Sequence, residues 1–366
     1  MPAALQDIAP SDAARLYLRP LCTLPSPPRP AARIGRAWAG FDAVEVVVRE
    51  GDTVRRAAST LADARAWARG RGGAIERGLH ELIERITMAR PPLAGVPCDA
   101  PAIMGVLNVT PDSFSDGGDF ASTEAALAGA RALAEAGAAI LDIGGESTRP
   151  GSEPVPEAEE LGRVIPVIAA LAGERSGAAI SVDTRKAAVM EAAAAAGAAL
   201  INDVSALGFD VRARAAVAAL GIPVVLMHCQ GGPKTMQVAP SYVHAPTDIF
   251  DVLAARIADC EAAGIPRERI AVDPGIGFGK SLGHNLAVLA DIGLLHGLGC
   301  PLVLGVSRKS FIGRLSGEGA PKARLPGSLA AMLWGVSQGV QVVRVHDVAE
   351  TRQALSVWQA IAAGNS

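Results

Sequence analysis

The chain has 366 residues, half of them hydrophobic, and a formal net charge of −3. This length and apolar content suit one large domain with an extension. The near-neutral charge gives no sign of nucleic-acid binding, and the apolar runs are too short to span a membrane. Five scattered cysteines with no CxxC pair favour reduced thiols. Because the N-terminus also lacks a long apolar stretch typical of a secretory signal, we expect a cytoplasmic protein.

The first hundred residues differ in pattern from the rest, and we assign residues 1–100 to an N-terminal α/β extension of unknown role. Arg19–Arg33 is rich in proline and arginine, which is typical of an extended arm. The sequence predicts a strand over Asp42–Gly51 and helices over Thr53–Arg69 and Glu76–Thr87. No motif in the extension carries recognisable chemistry. Its apolar helices are expected to bury against the remainder of the chain.

Residues 101–366 alternate between short apolar runs and Ala/Leu-rich segments. The predicted strands are Ile103–Val109, Ile140–Ile143, Ala179–Val182, Leu200–Val204, Pro223–Met227, Ile270–Val272, Pro301–Gly305 and Val342–Val345. The predicted helices are Thr123–Ala136, Glu157–Ala172, Lys186–Ala196, Asp210–Leu220, Asp248–Ala263, Asn285–Leu295, Leu325–Gln338 and Val348–Ala362. Apolar runs without strict alternation suit parallel strands covered on both faces. Eight such units predict an α/β fold of the (β/α)8 TIM barrel type. An open, doubly wound sheet is the alternative, but no strand leads into a GxGxxG turn.

Polar side chains end almost every predicted strand. In chain order they are Asn108; Asp142; Asp183; Asn202 and Asp203; His228; Asp273; Ser307, Arg308 and Lys309; and Arg344 and His346. Loop starts are often polar, but eight strands together predict a binding site at the C-terminal rim of the barrel. Its carboxylates and amides suit a heterocycle rich in N–H donors. Its cations suit an anion such as a phosphate.

Four loop motifs add to this rim. The buried strand ending at Val109 opens into a long polar loop, "TPDSFSDGG", and loops of this kind usually carry function. "ESTRPGS", from Glu146 to Ser152, supplies hydroxyls and an arginine. "DPGIGFGK" is glycine-rich but does not fit the P-loop pattern, so its glycines can be explained by tight turns alone. In "GVSRKSF", adjacent Arg308 and Lys309 at a buried strand end are expected to need an anion or ligand.

Together these motifs resemble the dihydropteroate synthase family of pterin-binding barrels. The resemblance runs in order from about Ala102 to the C-terminus and rests on "NVTPDSFSDGG", "LDIGGESTRPGS", "SVDTRK", "INDVSA", "LMHCQGGPKTMQ", "DPGIGFGK", "GVSRKSF" and "RVHDV". It implies a transferase that joins 4-aminobenzoate to 6-hydroxymethyl-7,8-dihydropterin diphosphate and releases diphosphate, with Mg²⁺ as cofactor. The implied partners are therefore small molecules, not nucleic acid or membrane, and similar proteins are commonly homodimers.

The resemblance also implies roles for individual residues. Asp183, Lys309 and Arg344 would be catalytic, and Asn108 would bind the metal. The residues implied to contact substrate are Asn108, Phe114, Asp142, Thr148, Arg149, Pro150, Asp183, Asn202, Met227, Asp273, Phe278, Gly305, Ser307, Lys309, Ser310, Arg344 and His346.

These contacts divide among three parts of the site. Acceptors for the pterin ring would be Asp183, Asn202 and Asp273, with Lys309 as a donor. Arg344 would lie over the ring and face diphosphate with His346, while Asn108 would help hold metal and diphosphate beside Thr148. The aminobenzoate pocket would be lined by Phe114, Pro150, Lys309 and Ser310. The loops "TPDSFSDGG" and "STRPGS" would close over diphosphate and complete this second pocket.

One position departs from the family pattern, and two other functions stay open. Ile276 stands where the family often has an aromatic residue, so the packing of the pterin differs in detail. A pterin-dependent methyltransferase acting on methyltetrahydrofolate shares the barrel but has no need for "STRPGS" or "SRKS". A catalytically silent pterin-binding paralogue would have no need for an intact first loop, Arg344 and His346.

Overall fold

A computed structural model of the chain describes residues 4–11, 13–22, 30–109, 119–147, 151–174, 177–232 and 235–364. None of the described helices is long and apolar enough to cross a lipid bilayer.

Residues 4–90 form a layer of strands and helices, here called the N-terminal layer. Its strands are β1 (Arg15–Cys22), β2 (Ala32–Arg33), β3 (Gly40–Glu50) and β4 (Thr53–Thr60), and its helices are α1 (Leu61–Arg71) and α2 (Gly73–Thr87). β3 pairs antiparallel with each of the other three strands. The predicted strand and the second predicted helix are confirmed as β3 and α2.

Two predictions for this layer are wrong in part. The predicted helix from Thr53 is a strand over its first eight residues, because β4 pairs with β3 from Thr53 opposite Glu50 to Thr60 opposite Ala43. The helix begins only at Leu61, where Thr60 Oγ1 accepts the N–H of Asp63 at 3.0 Å. The expected extended arm is wrong at both ends, since residues 19–22 belong to β1 and Ala32–Arg33 form β2, while residues 23–29 lie outside the described residues.

Each end of each barrel strand lies within two residues of the predicted end. They are β5 (Ala102–Asn108), β6 (Ile140–Gly144), β7 (Ala179–Asp183), β8 (Leu200–Asp203), β9 (Val224–Met227), β10 (Ile270–Asp273), β11 (Val303–Gly305) and β12 (Val342–Val345). All are parallel, in the order β10-β9-β8-β7-β6-β5-β12-β11. Val272 and Leu302 form a parallel bridge between the two ends of this order, so the sheet closes. The (β/α)8 barrel is therefore confirmed.

Helices alternate with these strands on the outside. They are α3 (Asp119–Ala136), α4 (Glu157–Glu174), α5 (Ala187–Ala196), α6 (Ala213–Leu220), α7 (Ala245–Ala262), α8 (Leu282–Ala290), α9 (Ser310–Ser316), α10 (Leu325–Ser337) and α11 (Val348–Ala363). A 3₁₀ segment, Ile292–Leu298, follows α8 and is buried at all seven positions.

The barrel interior is layered because side chains alternate in direction along each strand. The lower layer is apolar: Met104, Ile140, Leu200, Val225, Ala271, Val303 and Val342 pack with Leu93 and Cys98. A turn bridged between Leu93 and Val96 supplies the floor of this cluster. Two residues further along the strands, the interior becomes polar, and the candidate site begins there.

The N-terminal layer packs on the outside of the barrel rather than standing apart from it. The rings of Tyr17 and Phe250 meet edge to face at 5.2 Å. Trp38 Nε1 donates to Val336 O at 3.1 Å, and buried Arg90 donates to His296 O at 3.1 Å. One continuous apolar cluster includes residues of both parts.

Candidate active site

An arginine held between two carboxylates occupies the barrel mouth. Arg344, on β12, donates through Nε to Asp142 and through Nη2 to Asp183, each at 2.6 Å. Fully buried Asp142 also accepts Ser181 Oγ at 2.6 Å and Asn202 Nδ2 at 2.9 Å. With three donors already bound, Asp142 fixes its neighbours in place, while Asp183 and Asn202 lie one step nearer the mouth.

Burial sets the charges in this centre. It raises the pKa of Asp183 to about 7, against the opposing effect of Arg344, and the neighbouring Asp142 raises it further. Burial disfavours the charge of Arg344, but the two carboxylates outweigh that effect and raise its pKa. Asp183 is thus a buried carboxyl whose ionisation falls near neutral pH, beside a permanent cation.

A lysine follows β11, the strand paired with that of Arg344. Lys309 Nζ donates to Ile276 O and lies 4.9 Å from the ring centroid of Phe278. Burial lowers the pKa of Lys309 to about 8, while Asp273 opposes the shift. A Cβ placed on Gly305 would lie 3.6 Å from Lys309 Nζ and 3.8 Å from Asp273 Oδ2. These two side chains and Arg344, whose Cβ is 3.9 Å from the same point, therefore converge around Gly305.

Two glycines of the loop 274–280 allow close contact with the backbone after β9 as well as tight turns. A Cβ on Gly275 would stand 1.9 Å from His228 O, and one on Gly279 would stand 2.4 Å from Gln230 O. Both glycines also have positive φ, 66° and 60°. Asp273 Oδ1 accepts the N–H of Gly275 at 2.6 Å, and burial raises the pKa of Asp273. The loop is thereby fixed against the end of β9.

Lys280 holds the same loop by hydrogen bonds to two of its carbonyl groups. Its ammonium is buried and donates to Gly275 O at 2.8 Å, to Phe278 O at 2.9 Å and to His228 Nδ1 at 3.0 Å. Burial lowers the pKa of Lys280 to about 7 and that of His228, next to this cation, to about 3. His228, predicted as a rim residue, therefore serves as a neutral acceptor inside the scaffold.

The two cations of the "SRKS" segment have different partners. Arg308 pairs with Asp347, through Nε to Oδ2 at 3.0 Å and through Nη2 to Oδ1. The anion that Arg308 was expected to need is therefore the carboxylate of Asp347, which follows β12 and lay too far along the chain to be recognised. Arg308 has a φ of 59°, and its N–H donates to Ser328 Oγ at 2.8 Å. This strained turn leaves Lys309 as the cation directed at the site.

Comparisons with known proteins now identify the family. The sequence profile of the pterin binding enzyme family matches residues 104–346. The dihydropteroate synthase of Escherichia coli K12 is 49% identical over 260 residues, covering 71% of this chain and 91% of that protein. A solved dihydropteroate synthase of Xanthomonas albilineans with 4-aminobenzoic acid is 50% identical, with a TM-score of 0.70 over 74% of this chain and 97% of that one. A structure of the Xanthomonas enzyme with 7,8-dihydropteroate is 47% identical, with a TM-score of 0.67 over 74% and 98%.

The chain belongs to the dihydropteroate synthase family. The resemblance inferred from the motifs is confirmed, and with it the enzyme class, a transferase of folate biosynthesis that makes dihydropteroate. The family profile begins at residue 104, beyond the N-terminal layer.

The other predicted residues of the dihydropteroate synthase site lie around the mouth or outside the described residues. Met227 is buried at the end of β9, Ser310 is exposed at the first turn of α9, and Ser307 Oγ lies 3.0 Å from His346 Nδ1. Asn108 is half-buried at the end of β5. Phe114, Thr148, Arg149 and Pro150 lie outside the described residues.

Two groups in the dihydropteroate synthase scaffold were missed by sequence reasoning. Ser181 stands two residues before Asp183 on β7, so strand alternation could have placed it inside the barrel. Glu146 accepts Arg185 Nη2 at 2.9 Å, Lys186 Nζ at 3.2 Å and the N–H of Val155 at 3.1 Å. Glu146, just before "STRPGS", is thereby joined to Val155, three residues after it, and no sequence spacing revealed these bonds.

The donor set suits a metal that arrives with its substrate. Across the described ranges, no group of three His, Cys, Asp or Glu side chains could hold a metal ion. Asn108 offers one amide oxygen at the rim. Mg²⁺ commonly takes one or two protein oxygens and fills its other positions with substrate phosphates and water. A single amide ligand beside a diphosphate fits that habit.

Proposed function

We propose that this chain condenses 6-hydroxymethyl-7,8-dihydropterin diphosphate with 4-aminobenzoate to give 7,8-dihydropteroate and diphosphate at the barrel mouth. The observation that carries this proposal is the convergence of Arg344, Asp273 and Lys309 on the open space beside Gly305, with Asp183 bound to Arg344. This space offers acceptors for a heterocycle and cations for an anion in one place. The Xanthomonas relatives have 4-aminobenzoic acid or 7,8-dihydropteroate in their structures.

The pterin ring would bind deepest. Asp183, Asn202 and Asp273 present carboxylate and amide oxygens to its N–H donors. Lys309 would turn from Ile276 O to a ring acceptor, because a ligand acceptor can replace the carbonyl that the ammonium now holds. Burial of the three acceptors strengthens such bonds once water is excluded.

The transfer itself needs charge stabilisation more than acid–base chemistry. The methylene C–O bond breaks and its electron pair leaves with diphosphate, while the dihydropterin ring delocalises the cation that forms. The amine lone pair of aminobenzoate then makes the new C–N bond, and the amine loses one proton to solvent or to diphosphate. Ionised Asp183 stabilises the cationic methylene, and Arg344 with His346 stabilises the departing anion.

A metal belongs with the leaving group. Mg²⁺ bound to Asn108 and diphosphate would neutralise part of the negative charge that builds on the leaving oxygen. Thr148 would lie beside it. Phe114, Pro150 and Ser310 would complete the aminobenzoate pocket next to Lys309, and Arg149 would contact substrate.

We also propose that the enzyme is a homodimer of the cytoplasm. Leu286 on α8, Leu315 on α9 and Trp334 on α10 are large apolar side chains that are 39%, 59% and 47% exposed. Trp334 Nε1 donates to Leu289 O at 2.7 Å, so α10 and α8 are neighbours. An exposed apolar face of this kind suits a second copy of the chain.

Product formation tests the proposed activity. Dihydropteroate and diphosphate are expected in equal amounts when both substrates and Mg²⁺ are present. Withholding Mg²⁺ is the control and should suppress both products. Methyl transfer from methyltetrahydrofolate, or binding of pterin with no turnover, would overturn the proposal.

Single substitutions should separate the two cations of the site. Lys309→Ala is expected to weaken the binding of both pterin and aminobenzoate, because its ammonium lies between the ring site and Ser310. Arg344→Ala should act mainly on the diphosphate-bearing pterin. Calorimetric titration of each ligand measures this. Loss of aminobenzoate binding alone in Arg344→Ala would show that the roles are exchanged.

The pH dependence should report the two shifted groups. Asp183 must be ionised to face the cation, and its pKa of about 7 predicts that kcat/KM for the pterin substrate rises with pH through 7. Lys309 must be protonated to donate, and its pKa of about 8 predicts a fall above 8. The profile in free enzyme is therefore a narrow bell. Asp183→Asn should remove the acidic limb, and a profile flat from pH 6 to 9 would contradict the assignment.

A further inference from the structure

The N-terminal layer reaches the barrel near its mouth as well as lower down. Arg49, near the end of β3, forms an ion pair with Asp248 in the first turn of α7. Its guanidinium also donates to Thr247 Oγ1 at 3.3 Å and to Gly51 O at 3.0 Å. The side chain of Arg49 is 16% exposed and that of Asp248 is 21% exposed. The pair is thus shielded from water and stronger than an exposed one.

Asp248 joins this ion pair to a loop of the rim. While Oδ1 binds Arg49, Oδ2 accepts the N–H groups of Val243 and His244 at 2.8 and 3.1 Å. These two residues end the segment 228–244 between β9 and α7, here called the β9–α7 loop. Fixing the carboxylate through one oxygen therefore fixes the amides bound to the other.

The β9–α7 loop in turn holds loop 274–280. Tyr242 OH donates to Gly279 O at 2.7 Å, and Gln237 Nε2 donates to Gly277 O at 2.8 Å. Ile276 and Phe278, the two neighbours of Gly277 in the chain, are the residues that Lys309 contacts. A continuous set of hydrogen bonds and chain connections thus runs from the N-terminal layer to the site lysine.

We propose that the N-terminal layer positions the pterin pocket, and that Arg49 is the positioning residue through which it acts. The inference rests on the proposed function, since it assigns the pterin to the side of the mouth that loop 274–280 borders. Without Arg49, Asp248 keeps its bonds to the Val243 and His244 amides but loses its ion pair, and this link between the β9–α7 loop and the layer is broken. Loop 274–280 then moves more freely, and Lys309, which contacts Ile276 and Phe278 in that loop, occupies a wider range of positions. The layer acts through the loops and touches no substrate.

A second ion pair between the layer and α7, more exposed than the first, provides the control. Arg15 of β1 donates to Asp251 at 2.6 Å, one helical turn along α7. Asp251 also accepts Tyr17 OH, at 2.9 and 3.0 Å, and lies 3.8 Å from Arg49 Nη1. Among the described residues it accepts no hydrogen bond from the β9–α7 loop, in contrast to Asp248. Arg15→Met therefore breaks a contact between layer and barrel without releasing the loop. The Arg15 side chain is 66% exposed, so we expect this substitution to leave the fold intact.

The experiment compares Arg49→Met, Arg49→Lys and Arg15→Met in the full chain. Arg49→Met should raise KM for the pterin diphosphate about fivefold or more, with a smaller change in KM for aminobenzoate. Arg49→Lys should lie in between, because it keeps the charge but loses the second guanidinium contacts. Arg15→Met should leave KM within twofold. Hydrogen exchange, the second readout, should speed up in peptides covering 235–244 and 274–280 for Arg49→Met only.

Several outcomes decide the matter. Equal changes in the two methionine variants, or unchanged exchange in both peptides of Arg49→Met, would overturn the inference. If Arg49→Met does not fold, Arg49→Lys against Arg15→Met gives the same comparison. If wild-type protein makes no dihydropteroate but Arg49→Met still loosens both loops, the proposed function fails and the positioning role stands.

Discussion

Replacing Asp183 by asparagine is expected to lower kcat about 100-fold and to leave the barrel folded. Asparagine has the same shape and can still accept from Arg344 Nη2, now bound at 2.6 Å. What is lost is the negative charge facing the cationic methylene. Removing one preorganised electrostatic group costs about 3 kcal/mol of transition-state stabilisation, which corresponds to this fall in rate. Arg344 stays in place because Asp142 still holds its Nε.

Asp203→Asn is the control for this experiment. Asp203 ends the adjacent strand, is fully buried, and has a pKa that burial raises to about 6. Its carboxylate accepts the N–H groups of Ser205 and Leu207 at 2.7 and 3.0 Å, so it holds its own loop. This variant should lose melting temperature but little kcat. A well-folded Asp183→Asn variant with near-wild-type kcat would contradict the catalytic role assigned to Asp183.

The barrel could be read from the sequence because each of its units is local. A short apolar run followed by a helical segment carries its own period, and eight repeats leave few folds that can accommodate them. The polar strand ends were visible for the same reason, since strand direction brings all of them to one rim. Asp183 and Arg344 were thereby placed in one site although 161 residues separate them.

The features that could not be predicted from the sequence depend on contacts between distant segments. Residues 53–60 have no strong strand pattern, and pairing with β3 decides their conformation. Arg308 resembles a ligand-binding cation until Asp347 is seen beside it. His228 and Lys280 resemble site residues but bind each other. A polar residue at a strand end therefore indicates the rim, while its partner decides whether it serves the ligand or the scaffold.

Shortening the chain to begin at Pro97 should have the largest effect on stability. β1 and α2 of the N-terminal layer lie against the 3₁₀ segment Ile292–Leu298, all of which is buried. Removing the layer exposes several of its leucine and isoleucine side chains, each worth about 1.5–3 kcal/mol when buried. The loss is then roughly 5 kcal/mol, or a fall in melting temperature of about 10–20 °C for a barrel of this size.

A chain that begins at Pro91 separates the two contributions to this loss. It lacks the layer but keeps the turn from Leu93 to Val96, which packs under the apolar floor of the barrel. We expect it to melt above the chain that begins at Pro97, because only the latter opens the floor to water. Both should show a raised KM for the pterin diphosphate at temperatures where they are folded, since both lack Arg49. If either shortened chain melts within a few degrees of the full protein, the layer contributes no stability, and the continuous apolar cluster seen between layer and barrel has no energetic weight.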